Sequence, residues 1–194
     1  MAFREAGLIV FYPSVRGLNG NPGQIEGFYG ELDDLVAATK WLKQQPGVDP
    51  DRVYLGGHSS GGTMVLLAAA YSGDWKGVIS FGPVHDPRGY GPMLWGALPF
   101  NSGSNVDSDL RAPMKWLGSI TMPTLVIEGD QRGNVGSLDL MRSANHNPAV
   151  HFALGRGCSH FSILRPASEK IAKALVGDGL GAMLKSEEFS IACQ

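Results

Sequence analysis

At residues 55–62 the chain reads Leu55-Gly56-Gly57-His58-Ser59-Ser60-Gly61-Gly62, between a short apolar run and a longer apolar run with helical spacing. Its centre fits G-x-S-x-G, a pattern in which a serine occupies a sharp turn between a strand and a helix. Small flanking residues let the strand and the helix pack closely, so the serine hydroxyl stands clear of the sheet. The pattern therefore predicts a nucleophile at Ser59, with the backbone N–H of Ser60 facing a developing oxyanion. A plain glycine-rich turn is the structural alternative.

The rest of the chain alternates short apolar runs with longer segments of helical periodicity. The runs are nearly continuous rather than alternating, which is typical of buried parallel strands. We expect strands over residues 7–11, 52–56, 77–82, 124–128 and 149–154, and helices over residues 31–45, 61–71 and 168–175. This alternation predicts an α/β fold with a mainly parallel sheet flanked by helices.

Length and charge narrow the class of protein. The 194 residues carry 16 Lys+Arg and 18 Asp+Glu, which predicts a single domain over residues 1–194 with no preference for nucleic acid or an anionic membrane. No charged apolar leader opens the chain and no apolar run reaches about 18 residues. We therefore expect a soluble cytoplasmic protein. Two cysteines, Cys158 and Cys193, predict no disulfide framework.

Residues 84–121 interrupt the alternation with a long segment rich in Gly, Pro, Trp and Asn. Long connections inside compact domains are usually functional or mobile, so we interpret this segment as a cap or lid over a substrate site. An ordinary surface excursion with a short helix near residues 114–117 is the alternative. Four apolar residues in the segment suggest a pocket wall or simple packing: Trp95, Leu98, Pro99 and Phe100.

A nucleophilic serine needs a base, and His160 is the strongest candidate among five histidines. It follows the last predicted strand and precedes the final helix, in the loop Gly157-Cys158-Ser159-His160-Phe161. His58 is expected to pack beside the serine turn, and His85 to line the site from the long segment. His146 and His151 are expected to be structural. Cys158 and His160 alone are poor evidence for a metal, so no metal or cofactor is expected.

Five motifs follow one another along the chain, with an acidic helix after the first. They are Tyr12-Pro13-Ser14-Val15-Arg16-Gly17, Val48-Asp49-Pro50-Asp51-Arg52-Val53, Gly57-His58-Ser59-Ser60-Gly61-Gly62, Met122-Pro123-Thr124-Leu125-Val126-Ile127-Glu128-Gly129 and the loop that contains His160. Together they resemble the prolyl-oligopeptidase and dienelactone-hydrolase branch of the α/β-hydrolases, over most of the chain from about residue 3 to residues 161–166. The resemblance implies cleavage of a peptide, ester or lactone carbonyl through an acyl-enzyme, with a small ester or peptide-like substrate.

The orienting acid departs from that family's pattern, because Arg132 and Gly133 hold the positions where it normally falls. Asp130 is our first candidate. Asp86, after the preceding strand, is the second, although it is equally suited to a turn that binds its own backbone. Glu128 is a further nearby carboxylate, and Asn134 a neutral orienter. Without an acid the imidazole loses control of its tautomer, so a non-catalytic protein that binds a ligand or partner in the same cleft is the alternative function. An acyltransferase is a third.

The start of the chain departs as well. Residues 1–7 are typical of the last turn of a helix, whereas the family has several strands and a His-Gly-Gly oxyanion loop before it. We therefore expect a sheet that lacks the usual N-terminal strands, and we have no candidate for a second oxyanion donor. Truncation, closure of the gap by residues 7–11 and pairing with a second copy are the three alternatives. An open sheet edge invites such pairing, so a homo-oligomer is expected.

Overall fold

A computed structural model describes residues 2–90, 98–186 and 190–193 of the chain. Trp95, predicted as part of an apolar pocket wall, lies outside these residues. None of the helices within the described ranges is long and apolar enough to cross a membrane.

Among the described residues, five strands form one parallel sheet in the order β1-β2-β3-β4-β5. Because all neighbours are parallel, their carboxyl ends meet at one edge of the sheet, where the loops collect. The strands are β1 (Tyr54–His58), β2 (Gly77–Phe81), β3 (Thr124–Gln131), β4 (Val150–Ser159) and β5 (Ile191–Ala192).

Helices cover both faces of the sheet, which makes three layers. They are α1 (Ala2–Glu5), α2 (Gly30–Leu42), α3 (Ser60–Tyr71), α4 (Asn105–Leu110), α5 (Pro113–Trp116), α6 (Val135–Ala144), α7 (Leu164–Val176) and α8 (Leu180–Lys185). Successive residues of β3 point to opposite faces: Val126 packs in the core beneath α2, α3 and α6, whereas Leu125 and Ile127 pack beneath α7 and α8. Burial of each such side chain stabilises the fold by about 1.5–3 kcal/mol. The predicted α/β fold is confirmed.

The strand expected over residues 7–11 is wrong, because no strand forms there. Gly7, at a φ of +86°, ends α1, and the residues that follow pair with no neighbour. The strand β1 pairs only with β2 among the described residues, so its other side carries no strand. Residues 8–11 form no ladder with that free side of β1, and Ile9 stays 67 % exposed.

The other predicted elements are present with shifted bounds. A 3₁₀ turn at Pro50–Arg52, in which the carboxylate of Asp49 accepts from the N–H of Asp51, delays β1 by two residues. The strand β4 continues five residues past the predicted end at residue 154. Gly155, which resembles a strand terminator in sequence, instead leaves room for the side chain of Ile163.

The two cysteines form a disulfide, Cys158–Cys193, contrary to the sequence expectation. The bond joins β4 to the residue that follows β5, and the N–H of Cys193 also donates to the carbonyl of Arg156. Its partners lie 35 residues apart in sequence, so only the placement of β5 beside β4 brings them together.

The described parts of the 84–121 segment pack against the protein. They include 3₁₀ turns at Pro87–Tyr90 and Leu117–Ser119, besides α4 and α5. Arg111 is buried, and its guanidinium lies over the rings of Tyr29 and Phe100 and donates to the carbonyl of Glu26. These contacts attach the segment to the loop before α2. A role as a cap stays a prediction.

Candidate active site

Ser59 occupies the turn between β1 and α3 in a strained backbone conformation. Its φ is 57° and its ψ is −116°, a region that non-glycine residues adopt at a cost of roughly 1–3 kcal/mol and that is found mostly at functional sites. The N–H of Ser59 donates to the carbonyl of Phe81 at 2.8 Å, which holds the turn against the end of β2.

Two glycines around Ser59 are required because a side chain at either position would overlap the neighbouring backbone. A Cβ on Gly57 would overlap the carbonyl oxygen of Gly61, and a Cβ on Gly62 would lie 2.5 Å from the carbonyl oxygen of Phe81. The sequence pattern thus has a steric cause, since the strand, the turn and the helix approach too closely for side chains.

His160 lies in the turn that follows β4. Ser159 and Ser162 close this turn through two hydrogen bonds, from the N–H of Ser159 to Oγ of Ser162 at 2.8 Å and from the N–H of Ser162 to Oγ of Ser159 at 3.1 Å. The Nδ1 atom of His160 lies 2.7 Å from Oε2 of Glu128. A carboxylate only accepts, so Nδ1 carries the proton and Nε2 is left as a basic lone pair.

Glu128 has no solvent-exposed surface. Its Oε1 accepts from the N–H of Gly129 at 2.7 Å, and its Oε2 accepts from the N–H of Asn134 at 2.9 Å as well as from His160. Every one of these partners is an N–H donor, which is the environment of a carboxylate. The side-chain amide of Asn134 donates to the carbonyl of Gly82 at 2.8 Å and so supports the site from behind.

Two glycines leave the space that the His160–Glu128 pair fills. A Cβ on Gly82 would lie 2.5 Å from Cε1 of His160, and a Cβ on Gly133 would lie 2.9 Å from its Cβ. Gly82 directly follows Phe81, which accepts the N–H of Ser59. The His160–Glu128 pair therefore lies at the carboxyl end of β2, next to the residue that anchors the Ser59 turn.

Neither of the two acids ranked first from the sequence contacts His160. A register shift in the pairing of β3 with β4 falls at Asp130, whose exposed carboxylate accepts from the N–H of Gly157 at 2.8 Å. Asp86 accepts from the backbone N–H and the guanidinium of Arg88, which matches the turn alternative. The carboxylate on His160 is Glu128.

Tyr90 is a site residue that sequence reasoning missed. Its hydroxyl lies 2.7 Å from Oγ1 of Thr63, which accepts from the N–H of Val84. Burial raises the pKa of Tyr90 to about 12, and hydrogen bonds with the side chains of Thr63 and Ser59 oppose that rise. A neutral phenol therefore lies beside the Ser59 hydroxyl. No local pattern in the sequence places this tyrosine there.

The other predicted residues have separate places. Nδ1 of His85 lies 2.9 Å from Oγ of Ser137, and both line a groove of about 620 Å³ that also borders Gly133 and Asn134. His146 is exposed and His151 lies on β4.

The apolar residues predicted as a pocket wall lie elsewhere. Pro99 and Phe100 pack against Gly27, and Leu98 is half-buried. The disulfide occupies the sulfur of Cys158, which removes it as a metal ligand.

Comparison with known proteins connects this geometry to relatives. A model of the prolyl oligopeptidase family matches residues 1–135. The chain is 31% identical over 145 residues to the uncharacterized peptidase YtmA of Bacillus subtilis (strain 168), and the match covers 69% of this chain and 55% of that relative. The chain thus spans about half the length of this curated relative.

Solved structures share the fold. The dipeptidyl peptidase 4 of Porphyromonas gingivalis superposes with a TM-score of 0.63 at 22% identity, over 77% of this chain and 22% of that one. A puromycin-hydrolyzing peptidase of Mycobacterium tuberculosis gives 0.66 at 18% identity, over 87% and 28%. The 2,6-dihydroxy-pseudo-oxynicotine hydrolase gives 0.65 at 18% identity, over 87% and 51%. At these identities the likeness establishes the α/β-hydrolase fold alone.

Proposed function

Since the chain belongs to the prolyl oligopeptidase family, we propose that it is a serine hydrolase that cleaves a peptide-like or ester carbonyl through an acyl-enzyme. The observation that carries the proposal is the buried Glu128 carboxylate on Nδ1 of His160, beside a strained turn that presents Ser59. A base held in one tautomer next to a nucleophile is what acyl transfer requires.

In this proposal Oγ of Ser59 attacks the carbonyl carbon while Nε2 of His160 takes the hydroxyl proton. Collapse of the tetrahedral intermediate expels the leaving group, which receives that proton, and leaves an acyl ester on Ser59. Water then attacks the ester and gives its proton to His160. Breakdown releases the acid and restores the Ser59 hydroxyl.

Stabilisation of the intermediate is assigned to the start of α3. Ser60 is the first residue of that helix, and N–H groups in the first turn of a helix have no partner within it. The helix dipole adds a partial positive charge at this point. Donors of this kind contribute on the order of 10²–10³ to the rate.

Peptide-like substrates are favoured over simple esters, because the family and the curated relative are named for peptidases. Glu128 also supplies the acid whose absence motivated the non-catalytic alternative.

The test is turnover by the purified chain. Short p-nitrophenyl esters and peptide p-nitroanilides are incubated with the wild type, with Ser59→Ala, and with Ser72→Ala as a matched control at the opposite end of α3. We expect release of nitrophenol or nitroaniline by the wild type and by Ser72→Ala, and none above background by Ser59→Ala. Turnover that survives Ser59→Ala would contradict the proposal, as would a folded wild type without turnover.

The cytoplasmic location expected from the sequence is tested by the Cys158–Cys193 disulfide. Disulfides persist in oxidising compartments and are rare in the cytoplasm, where thiols are kept reduced. Alkylation of thiols in intact cells before lysis separates the two cases. Two alkylated cysteines support a cytoplasmic location, and a protein that carries none contradicts it.

Homo-oligomerisation through the sheet edge is the remaining proposal. The side of β1 away from β2 has no partner strand among the described residues, so its backbone is open to pairing. Light scattering at high concentration tests it: a mass of two or more chains supports pairing between copies, and a monomer overturns it.

A further inference from the structure

His58, the residue before the serine, makes a direct contact with the loop of the base. Its Nε2 atom lies 3.0 Å from the main-chain carbonyl oxygen of His160. A carbonyl oxygen only accepts, so Nε2 of His58 carries the proton. The two imidazole rings are also in contact, with centroids 4.4 Å apart and an angle of 40° between the ring planes.

This contact complements the one from Glu128. The carboxylate of Glu128 holds the side chain of His160 through Nδ1, whereas His58 holds its main chain through the carbonyl. Within the turn, hydrogen bonds join Ser159 to Ser162 and to the N–H of Ile163. His58 therefore links the serine turn to the histidine turn, which come from strands that are not neighbours in the sheet.

The environment favours the neutral form of His58. Burial lowers the pKa of His58, and the charge that His160 acquires acts in the same direction; the carbonyl of His160 and the carboxylate of Glu128 oppose both effects. The ring of Phe161 covers the pair, with its centroid 5.3 Å from that of His58 and 5.0 Å from that of His160. A neutral His58 adds no positive charge beside His160 when that base must accept a proton.

We propose that His58 is a positioning residue of the hydrolase, which sets the place of His160 relative to Ser59 through the hydrogen bond to its main chain. The proposal rests on the proposed function. It assigns His58 no contact with substrate, so the substrate affinity should not depend on it. Loss of one such hydrogen bond corresponds to about a tenfold change in rate.

Two variants separate the hydrogen bond from the packing. His58→Phe keeps an aromatic ring and removes the donor, whereas His58→Gln removes the ring and keeps an N–H donor of similar reach. We expect kcat of His58→Phe to fall about tenfold with KM unchanged, and kcat of His58→Gln to stay within about threefold of the wild type. Melting temperatures are measured for both.

A second measurement requires no turnover. The Nδ1 proton of His160 is followed by NMR, and we expect its resonance to shift in His58→Phe and to return towards the wild-type position in His58→Gln. The inference is overturned if both variants keep the wild-type kcat and resonance, or if kcat falls only in step with melting temperature. If the wild type itself shows no Ser59-dependent turnover, the proposed function fails, and the NMR result alone then decides whether His58 positions His160.

Discussion

The carboxylate of Glu128 lies 2.7 Å from Nδ1 of His160 and has no exposed surface. It lies within β3, directly after the buried apolar residues Leu125, Val126 and Ile127. A buried carboxylate is costly unless it is well paired, and here three N–H donors surround it. The pair therefore has the chemistry of an imidazole held in one tautomer by an acid.

Replacement of that acid should reduce turnover. Glu128→Gln keeps the shape of the side chain but presents an amide, so the tautomer of His160 is no longer controlled, and we expect kcat to fall about 10³–10⁴-fold. Asp130→Asn is the matched control, because Asp130 contacts Gly157 rather than His160, and it should stay within about threefold. Equal losses in the two variants would contradict the assignment of Glu128.

The backbone strain at Ser59 predicts that replacement of this serine by glycine stabilises the fold while it abolishes activity. Glycine adopts a φ of 57° with a ψ of −116° without steric penalty, whereas alanine does not. We expect the free energy of unfolding of Ser59→Gly to be about 1 kcal/mol higher than that of Ser59→Ala. Both variants should be inactive. Urea denaturation measures the difference. A Ser59→Ala protein as stable as Ser59→Gly would show that the turn is not strained.

Loss of the disulfide should destabilise the protein through its unfolded state. The Cys158–Cys193 bond closes a long loop, and such a cross-link typically contributes about 2–4 kcal/mol. Cys193→Ser removes the bond and leaves the buried Cys158 in place. Because the cross-link is lost, the melting temperature of this variant should be lower than that of the wild type. Dithiothreitol should lower the wild-type value and leave the variant unchanged. A wild-type melting temperature that is indifferent to the reductant would count against the bond.

The lowered pKa of His58 predicts that the stability of the fold depends on pH. Burial, and then His160, lowers its pKa from the ordinary value of 6.5, so the unfolded chain binds the proton more readily than the folded one. Stability from this group is present above that ordinary value and is lost as the pH falls below it. The free energy of unfolding should therefore fall more steeply in the wild type than in His58→Gln between about pH 7 and about pH 5. Parallel curves would contradict the lowered pKa.

Local patterns were sufficient for the serine turn, because its glycines follow from contacts within a few residues of Ser59. The position of His160 was also predictable, since the last strand and the final helix bracket it in sequence. The strand predicted over residues 7–11 did not form, because an apolar run alone does not show whether the backbone pairs with a strand, and residues 8–11 pair with none.

Glu128 was expected only as a further nearby carboxylate, because the family usually carries its acid at a later position in the chain. Arg132 and Gly133 occupy that position, and Gly133 is needed for space beside His160. A signal for Glu128 was nevertheless present, since it is the one charged residue in the predicted strand 124–128. The disulfide could not be predicted, because only the pairing of β5 with β4 brings Cys193 to Cys158.

Covalent labelling of the serine tests the central claim most directly. The wild type is treated with a fluorophosphonate, digested, and the modified peptide is identified by mass spectrometry. A serine activated by His160 and Glu128 should give one adduct, on Ser59, that forms far more slowly in Glu128→Gln. The absence of an adduct on the folded wild type, or an adduct on a different residue, would contradict the assignment of Ser59 as an activated nucleophile.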